Sequence, residues 1–164
     1  MVIVSENVGD ILLSDSKFIA QQNNCCTTKA HGLSDKIARK YPYANVYSLR
    51  INKPGCRNNS ITRDIPGTIK VCDGPGPTII CMFAQYCPGK PEYYAKIYDK
   101  TYHDTYDNRL IWFKMCLDKI LEAGITEVSM PYYIGCGLAG GDWTKYYKVL
   151  QDTELKVNLW KYSS

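Results

Sequence analysis

Residues 131–143 read Pro-Tyr-Tyr-Ile-Gly-Cys-Gly-Leu-Ala-Gly-Gly-Asp-Trp, and no other stretch constrains the fold as strongly. Four glycines, Gly135, Gly137, Gly140 and Gly141, fall within seven residues, between an apolar run ending at Met130 and an amphipathic run starting near Asp142. Glycine admits positive φ and lets a ligand approach the main chain closely. A plain tight turn is the alternative reading, but such a turn needs one or two glycines rather than four. A strand passing through this loop into a helix aims several free N–H groups at one point, with the helix dipole behind them. That arrangement suits an anion, phosphate above all.

The 164 residues suffice for one domain, 1–164, with a core that needs no staples. The net charge of +4 is mild, and the lysines and arginines are scattered. A small polyanionic ligand is therefore expected, and no duplex nucleic acid. No apolar run approaches the roughly 18 residues of a membrane span, so no membrane partner is expected. The first residues lack the charged and apolar regions of a signal peptide, so a cytoplasmic location is expected, with passage into the nucleus left open. The eight cysteines include no Cys-x-x-Cys, and His31 and His103 have no ligand spacing. Reduced, structural thiols are expected, with no metal and no cofactor.

Short apolar runs alternate with amphipathic ones. Strands are expected at 1–5, 17–23, 68–72, 77–83, 125–131 and 155–160. Helices are expected at 33–41, at 104–123, and from Asp142 or Thr144 to about Gln151. Pro42 stops the first helix and Gly124 the second. Asp73-Gly74-Pro75-Gly76 makes the third and fourth strands a hairpin. Residues 53–66, rich in Asn, Gly, Pro and Arg, read as a surface excursion, and the Tyr-rich run 93–106 as a cover. Strands interleaved with helices define an α/β fold, in which ligands bind at the carboxyl ends of strands.

Three segments are expected to meet the glycine loop there. Gly9-Asp10-Ile11 puts a carboxylate in a turn, able to accept from an exocyclic amine, beside an apolar side chain. The run from Asn23 and Asn24 through Thr28 to His31 and Gly32 leaves a strand and opens a helix. Its amides can read a ribose diol, and His31 can bind phosphate or act as acid or base. Gln85 and Lys90 leave a strand and can line the same cleft. Loop capping is the alternative for Asn24, helix N-capping for Asp142, and an ordinary strand exit for Gln85.

With these motifs in this order, the chain resembles the macro domains, which bind ADP-ribose and related metabolites. Gly9-Asp10-Ile11, Asn23-Asn24, His31-Gly32-Leu33-Ser34, Phe83-Ala84-Gln85, residues 109–120 and Ile134-Gly135-Cys136-Gly137-Leu138 carry the likeness. The form Gly-Cys-Gly-Leu-Ala-Gly-Gly-Asp-Trp is similar to the branch holding ADP-ribose 1″-phosphate phosphatases and the terminal ADP-ribose protein glycohydrolase. The resemblance implies a three-layer α/β/α sandwich with a mixed central sheet. It implies that Asp10 and Ile11 hold adenine, Asn24 the distal ribose, and residues 135–140 (Gly135, Cys136, Gly137, Leu138, Ala139, Gly140) the diphosphate. Trp160, or Tyr162, would stack on adenine.

The implied ligand is ADP-ribose or ADP-ribose 1″-phosphate, with an ADP-ribosylated protein as a further partner. The expected activity is removal of the 1″-phosphate, with Asp142 activating water and His31 protonating the leaving oxygen. Hydrolysis of ADP-ribosyl esters, or reading without turnover, are the alternatives. The triple glycine of many macro domains is replaced by Lys29-Ala30-His31-Gly32. Ala139 stands where the terminal glycohydrolase has aspartate, and its catalytic lysine has only Lys90 as a nearest counterpart. Both departures argue against a lysine-linked mechanism.

Overall fold

A computed structural model describes residues 4–91, 98 and 101–162. The elements run β1 (Val4–Val8), β2 (Phe18–Asn24), α1 (Gly32–Lys40), β3 (Ile69–Cys72), β4 (Thr78–Gln85), α2 (Tyr106–Glu122), β5 (Glu127–Pro131), α3 (Trp143–Asp152) and β6 (Lys156–Lys161). One six-stranded sheet has the order β1-β6-β5-β2-β4-β3. Every neighbouring pair is parallel except β3 with β4, which form the expected hairpin.

Strand β4 shows why the sheet is covered on both sides. Ile80, Met82 and Ala84 point to one face, where Phe113, Cys116, Leu117 and Ile120 of α2 and Tyr146 and Leu150 of α3 pack. Ile79, Cys81 and Phe83 point to the other, against Ile37 of α1 and Ile19. A strand buried on both faces reads as a continuous apolar run rather than an alternating one, and Thr-Ile-Ile-Cys-Met-Phe-Ala does so. The result is a three-layer α/β/α sandwich with a mixed sheet. No helix among the described residues is long and apolar enough to cross a membrane.

Because five strands run parallel, Val8, Asn24, Gln85, Pro131 and Lys161 end on one edge of the sheet. Helix α1 leaves β2 on one face and α2 leaves β4 on the other. Strands β2 and β5 share a single register pair, Ile19 with Ser129. In sheets of this kind ligands bind outside the carboxyl ends of the strands.

Helix α2 starts at Tyr106, two residues later than expected. Thr105 caps it, accepting from the Asn108 amide at 3.1 Å. Asp104 turns out of the helix to meet Arg109, whose Nε and Nη2 donate to its two carboxylate oxygens at 2.7 Å each. Both side chains are almost fully buried, 1% and 4% exposed. The segment 53–66 is largely exposed, but its own bonds tie it down. Asn59 and Ser60 are buried, Asn52 and Ser60 form a β-bridge, and Arg63 reaches back to the Ser60 carbonyl, the Asn59 side chain and the Tyr86 hydroxyl. Side-chain to main-chain bonds hold it in place of an apolar stripe.

Asp104→Ala leaves the Arg109 guanidinium buried and without its counter-ion, so stability to chemical denaturation should fall by about 3–5 kcal/mol. A loss below about 1 kcal/mol would show that the pair anchors nothing.

Candidate functional site

A cleft of about 510 Å³ opens at the carboxyl edge of the sheet. Gln22 of β2 and Gln85 of β4 line it, the Gln22 Nε2 donating to Gln85 Oε1 at 2.8 Å. The end of β2 supplies Asn24, the loop after it His31, and α1 Ser34; the following segment supplies Tyr47 and Asn58. The exit from β4 adds Pro88, Gly89 and Lys90, and the glycine loop adds Leu138 and Ala139. Tyr98, from the Tyr-rich run, closes the ring of residues; 92–97 and 99–100 of that run lie outside the described residues. Among the described residues, Lys90 is the one permanently charged side chain that lines the cleft, and no carboxylate does.

The loop after β2 is built from its own polar groups. Asn24 Oδ1 accepts from the amides of Cys26 and Thr27 at 2.9 Å each, and its Nδ2 donates to Thr27 Oγ1. This is an Asx turn. The Asn24 side chain thus shapes the loop through its oxygen and one N–H, while its second N–H has no protein partner among the described residues and the residue lines the cleft. The amides of Thr28 and Lys29 both donate to Asn58 Oδ1, at 2.9 and 2.8 Å. The Tyr47 hydroxyl accepts from the Asn24 amide and from Asn23 Nδ2; burial pushes its pKa up, so it stays protonated. Asn23 is buried beneath the loop and does not line the cleft. His31 is exposed at the N-cap of α1, with Ser34 Oγ donating to its carbonyl at 2.7 Å.

Two buried arginines hold these loops from below. Arg50 gives Nη1 to the Thr27 carbonyl and Nη2 to the Asn24 carbonyl, at 2.8 and 2.7 Å, and pairs with Asp64. Arg109 gives Nη1 to the Gly89 carbonyl at 2.6 Å and the Ala139 carbonyl at 3.4 Å, and Nη2 to the Cys87 carbonyl at 3.0 Å. Neither arginine was singled out from sequence as a site residue. The Asp104-to-Arg109 spacing at the start of a helix was the available signal for one.

The main-chain donors of the glycine loop divide into two sets. The amides of Ile134, Cys136, Gly140 and Gly141 donate within the loop. Among the described residues, those of Gly135, Gly137, Leu138 and Ala139 donate to no protein acceptor. The glycines divide by packing. A Cβ on Gly135 would lie 2.5 Å from the Tyr146 ring, and one on Gly141 would lie 2.5 Å from the Gly135 carbonyl oxygen. Gly140 has φ +75° and packs beneath Lys90. Gly137 lacks positive φ, and a Cβ on it would meet no atom within 4 Å. The fold therefore requires three of these glycines and leaves Gly137 unexplained by packing.

Several expected residues lie elsewhere. Asp142 caps α3, its Oδ1 accepting from the Thr144 amide at 3.0 Å. It lines a separate cavity of about 270 Å³ with Tyr106, Lys145 and Tyr146, so the structure does not pair it with His31. The cap geometry of the helix decides its place. Gly9, Asp10 and Ile11 sit at the end of β1 but do not line the cleft. Asp10 Oδ1 accepts from the Leu12 amide, and Ile11 is buried. Trp160 packs over Gly9 and donates its indole N–H to Ser129 Oγ at 3.2 Å; Tyr162, 65% exposed, is the accessible aromatic at that strand end. Cys136 is buried, and burial with the nearby Asp142 charge pushes its thiol up to about 12, which makes it a neutral packing group. No group of three or more metal-ligating side chains occurs among the described residues.

A parallel-stranded core between helix layers, with a donor-lined cleft at the strand ends, defines an α/β protein of the doubly covered kind. No family model and no curated protein matches the sequence. Solved structures do. The macrodomain of Mycobacterium tuberculosis DarG is 20% identical over 98% of each chain, with a TM-score of 0.62. That of Thermus aquaticus DarG is 16% identical over 99% of each, with a TM-score of 0.60. Thermosipho africanus DarTG, solved in complex with ADP-ribose, is 14% identical over 94% of this chain and 41% of that one, with a TM-score of 0.52. The chain has the macrodomain fold.

The two kinds of glycine separate by mutation. Gly141→Ala should lower the melting temperature by several degrees, because its Cβ meets main chain that cannot yield. Gly137→Ala should change it by no more than a degree or two. Equal effects would remove the distinction.

Proposed function

We propose that the cleft binds ADP-ribose and that the protein removes the terminal phosphate of ADP-ribose 1″-phosphate. The observation that carries the binding reading is the run of three free amides at Gly137, Leu138 and Ala139, next to a glycine that the fold does not need. Free N–H groups in succession suit a diphosphate, and Lys90 adds a positive charge to a cleft with no carboxylate among its described residues to repel it. ADP-ribose is the ligand of the Thermosipho africanus protein that shares the fold.

The side chains around the cleft favour the phosphatase over the ester hydrolase. Ester hydrolysis needs an activated water, and the described lining of the cleft presents no carboxylate base. Phosphoryl transfer passes through a loose transition state that asks chiefly for charge stabilisation and a protonated leaving group. Water attacks phosphorus, the bond to the 1″ oxygen breaks, and His31 gives that oxygen a proton; the products are ADP-ribose and inorganic phosphate. Asp142 holds α3 in this reading and takes no part in the chemistry.

Calorimetric titration with ADP-ribose tests the binding. Wild-type protein should bind, and Gly137→Val, with its melting temperature kept, should bind at least roughly a hundredfold more weakly because its side chain stands over the free amides. Chromatography of ADP-ribose 1″-phosphate digests tests the activity. His31→Ala should lower turnover by about a hundredfold or more, whereas Asp142→Asn, which keeps a capping oxygen, should leave it within about threefold. Tight binding without product from this substrate or from ADP-ribosyl esters would make the protein a reader instead.

A further inference from the structure

Outside the cleft, four aromatic side chains gather where β5 passes into the glycine loop and α3 begins. Tyr132 and Tyr133 stack nearly parallel, ring centroids 5.9 Å apart and planes 17° from each other. Trp143 lies 4.9 Å from Tyr132 and 5.6 Å from Tyr133, and Tyr147 meets Trp143 edge-on at 5.8 Å. None of the four lines the cleft. Lys161 stands 5.3 Å over the Tyr132 ring.

Tyr133 is the unusual member. Its φ is +71°, and the other non-glycine residue with positive φ among the described residues is an asparagine, Asn58. Asparagine tolerates the left-handed region; tyrosine there is a true outlier. Such strain persists only where its surroundings over-determine it, and it gathers at functional positions. Folding alone gives no reason for it, since the same loop uses glycine where positive φ is needed, at Gly135 and Gly140. The strained conformation instead stacks the ring on Tyr132 while leaving Tyr133 51% exposed.

We propose that this cluster is a stacking platform for the bases of a single-stranded nucleic acid, separate from the cleft. An exposed aromatic ring backed by a second stacked ring accepts a base of any sequence, because every base has a π-face. The neighbouring charges suit a phosphate backbone. Lys161 stands beside the rings, its ammonium over Tyr132. The nearby acids are engaged, Asp142 in its helix cap and Asp152 with Lys148. One stacked base alone gives roughly millimolar affinity or weaker, so a free mononucleotide is not the expected occupant. A strand adds lysine–phosphate contacts to each stacked base. Duplex is excluded by the same chemistry, since its bases already stack on one another.

The test is fluorescence anisotropy at low salt with a labelled ten-nucleotide oligo(A) strand, a duplex of equal length, and AMP as a competitor. Wild-type protein should bind the strand at least about tenfold more tightly than the duplex, and AMP at equal base concentration should not displace it. Tyr133→Gly removes the ring while suiting the left-handed backbone, so the melting temperature should hold or rise. Strand affinity should nonetheless fall about tenfold, equivalent to about 1.4 kcal/mol. Saturating ADP-ribose should leave strand binding unchanged. The proposal is overturned by absent strand binding, by equal duplex binding, by an unaffected Tyr133→Gly, or by competition from ADP-ribose or AMP. Competition would assign the rings to the base of the cleft's own ligand.

Discussion

The buried pair of Arg109 with Asp104 is the interaction on which the ligand cleft depends. A guanidinium with five donors can be sealed from water only if its hydrogen bonds are made. Asp104 takes two, and the carbonyls of Cys87, Gly89 and Ala139 take the rest. Those carbonyls belong to the exit from β4 and to the glycine loop, so satisfying one charge fixes two loops against each other. Asp104 also accepts from the Cys87 amide at 2.8 Å. Arg50 does the same on the opposite side, binding the carbonyls of Asn24 and Thr27 while its guanidinium carbon lies 4.8 Å from the Tyr47 ring centroid. Loops carry most of the site, yet each is tied to a charge that has nowhere else to go.

That rigidity gives the free amides their meaning. A mobile loop would expose N–H groups to water at no cost and without direction. Here Gly135, Gly140 and Gly141 are each required by a close contact or a positive φ. The loop can take this course only with those glycines in place. Gly137, Leu138 and Ala139 then present their amides from a fixed frame, and a ligand that binds them loses little free energy in ordering them.

Much of the fold was legible because its signals are local and repetitive. Buried strands such as β4 are unbroken apolar runs, the helices carry apolar residues at helical spacing, and Gly124 and Pro42 mark real ends. Expected and observed boundaries differ mostly by a residue or two. The site was less legible, because competing local bonds decide where polar side chains go. Asn24 commits its side-chain oxygen to an Asx turn and Asp142 commits its carboxylate to a helix cap, and in both cases the type of residue suits either role. Val157 and Leu159 of β6 point into the core under α2 and α3, so Asn158 and Trp160 face the other layer, where Trp160 packs beside Gly9 and reaches Ser129. Tyr47, Asn58 and Arg50 come from a stretch with no periodicity to read, held by long-range bonds that no spacing announces.

The polarity of the cleft follows from the same chain of constraints. The Cys87 carbonyl accepts from Arg109 and also from Gln85 Nε2, at 2.9 Å. With its amide nitrogen so placed, Gln85 must turn its oxygen toward Gln22 and accept from Gln22 Nε2. Gln22 is thereby oriented too, and its Oε1 is left as an acceptor beside Gly135, without a protein partner among the described residues. One buried arginine thus fixes the glycine loop and, through the Cys87 carbonyl, the orientation of both glutamines, down to a Gln22 oxygen that is sealed beneath the loop rather than presented to the cleft.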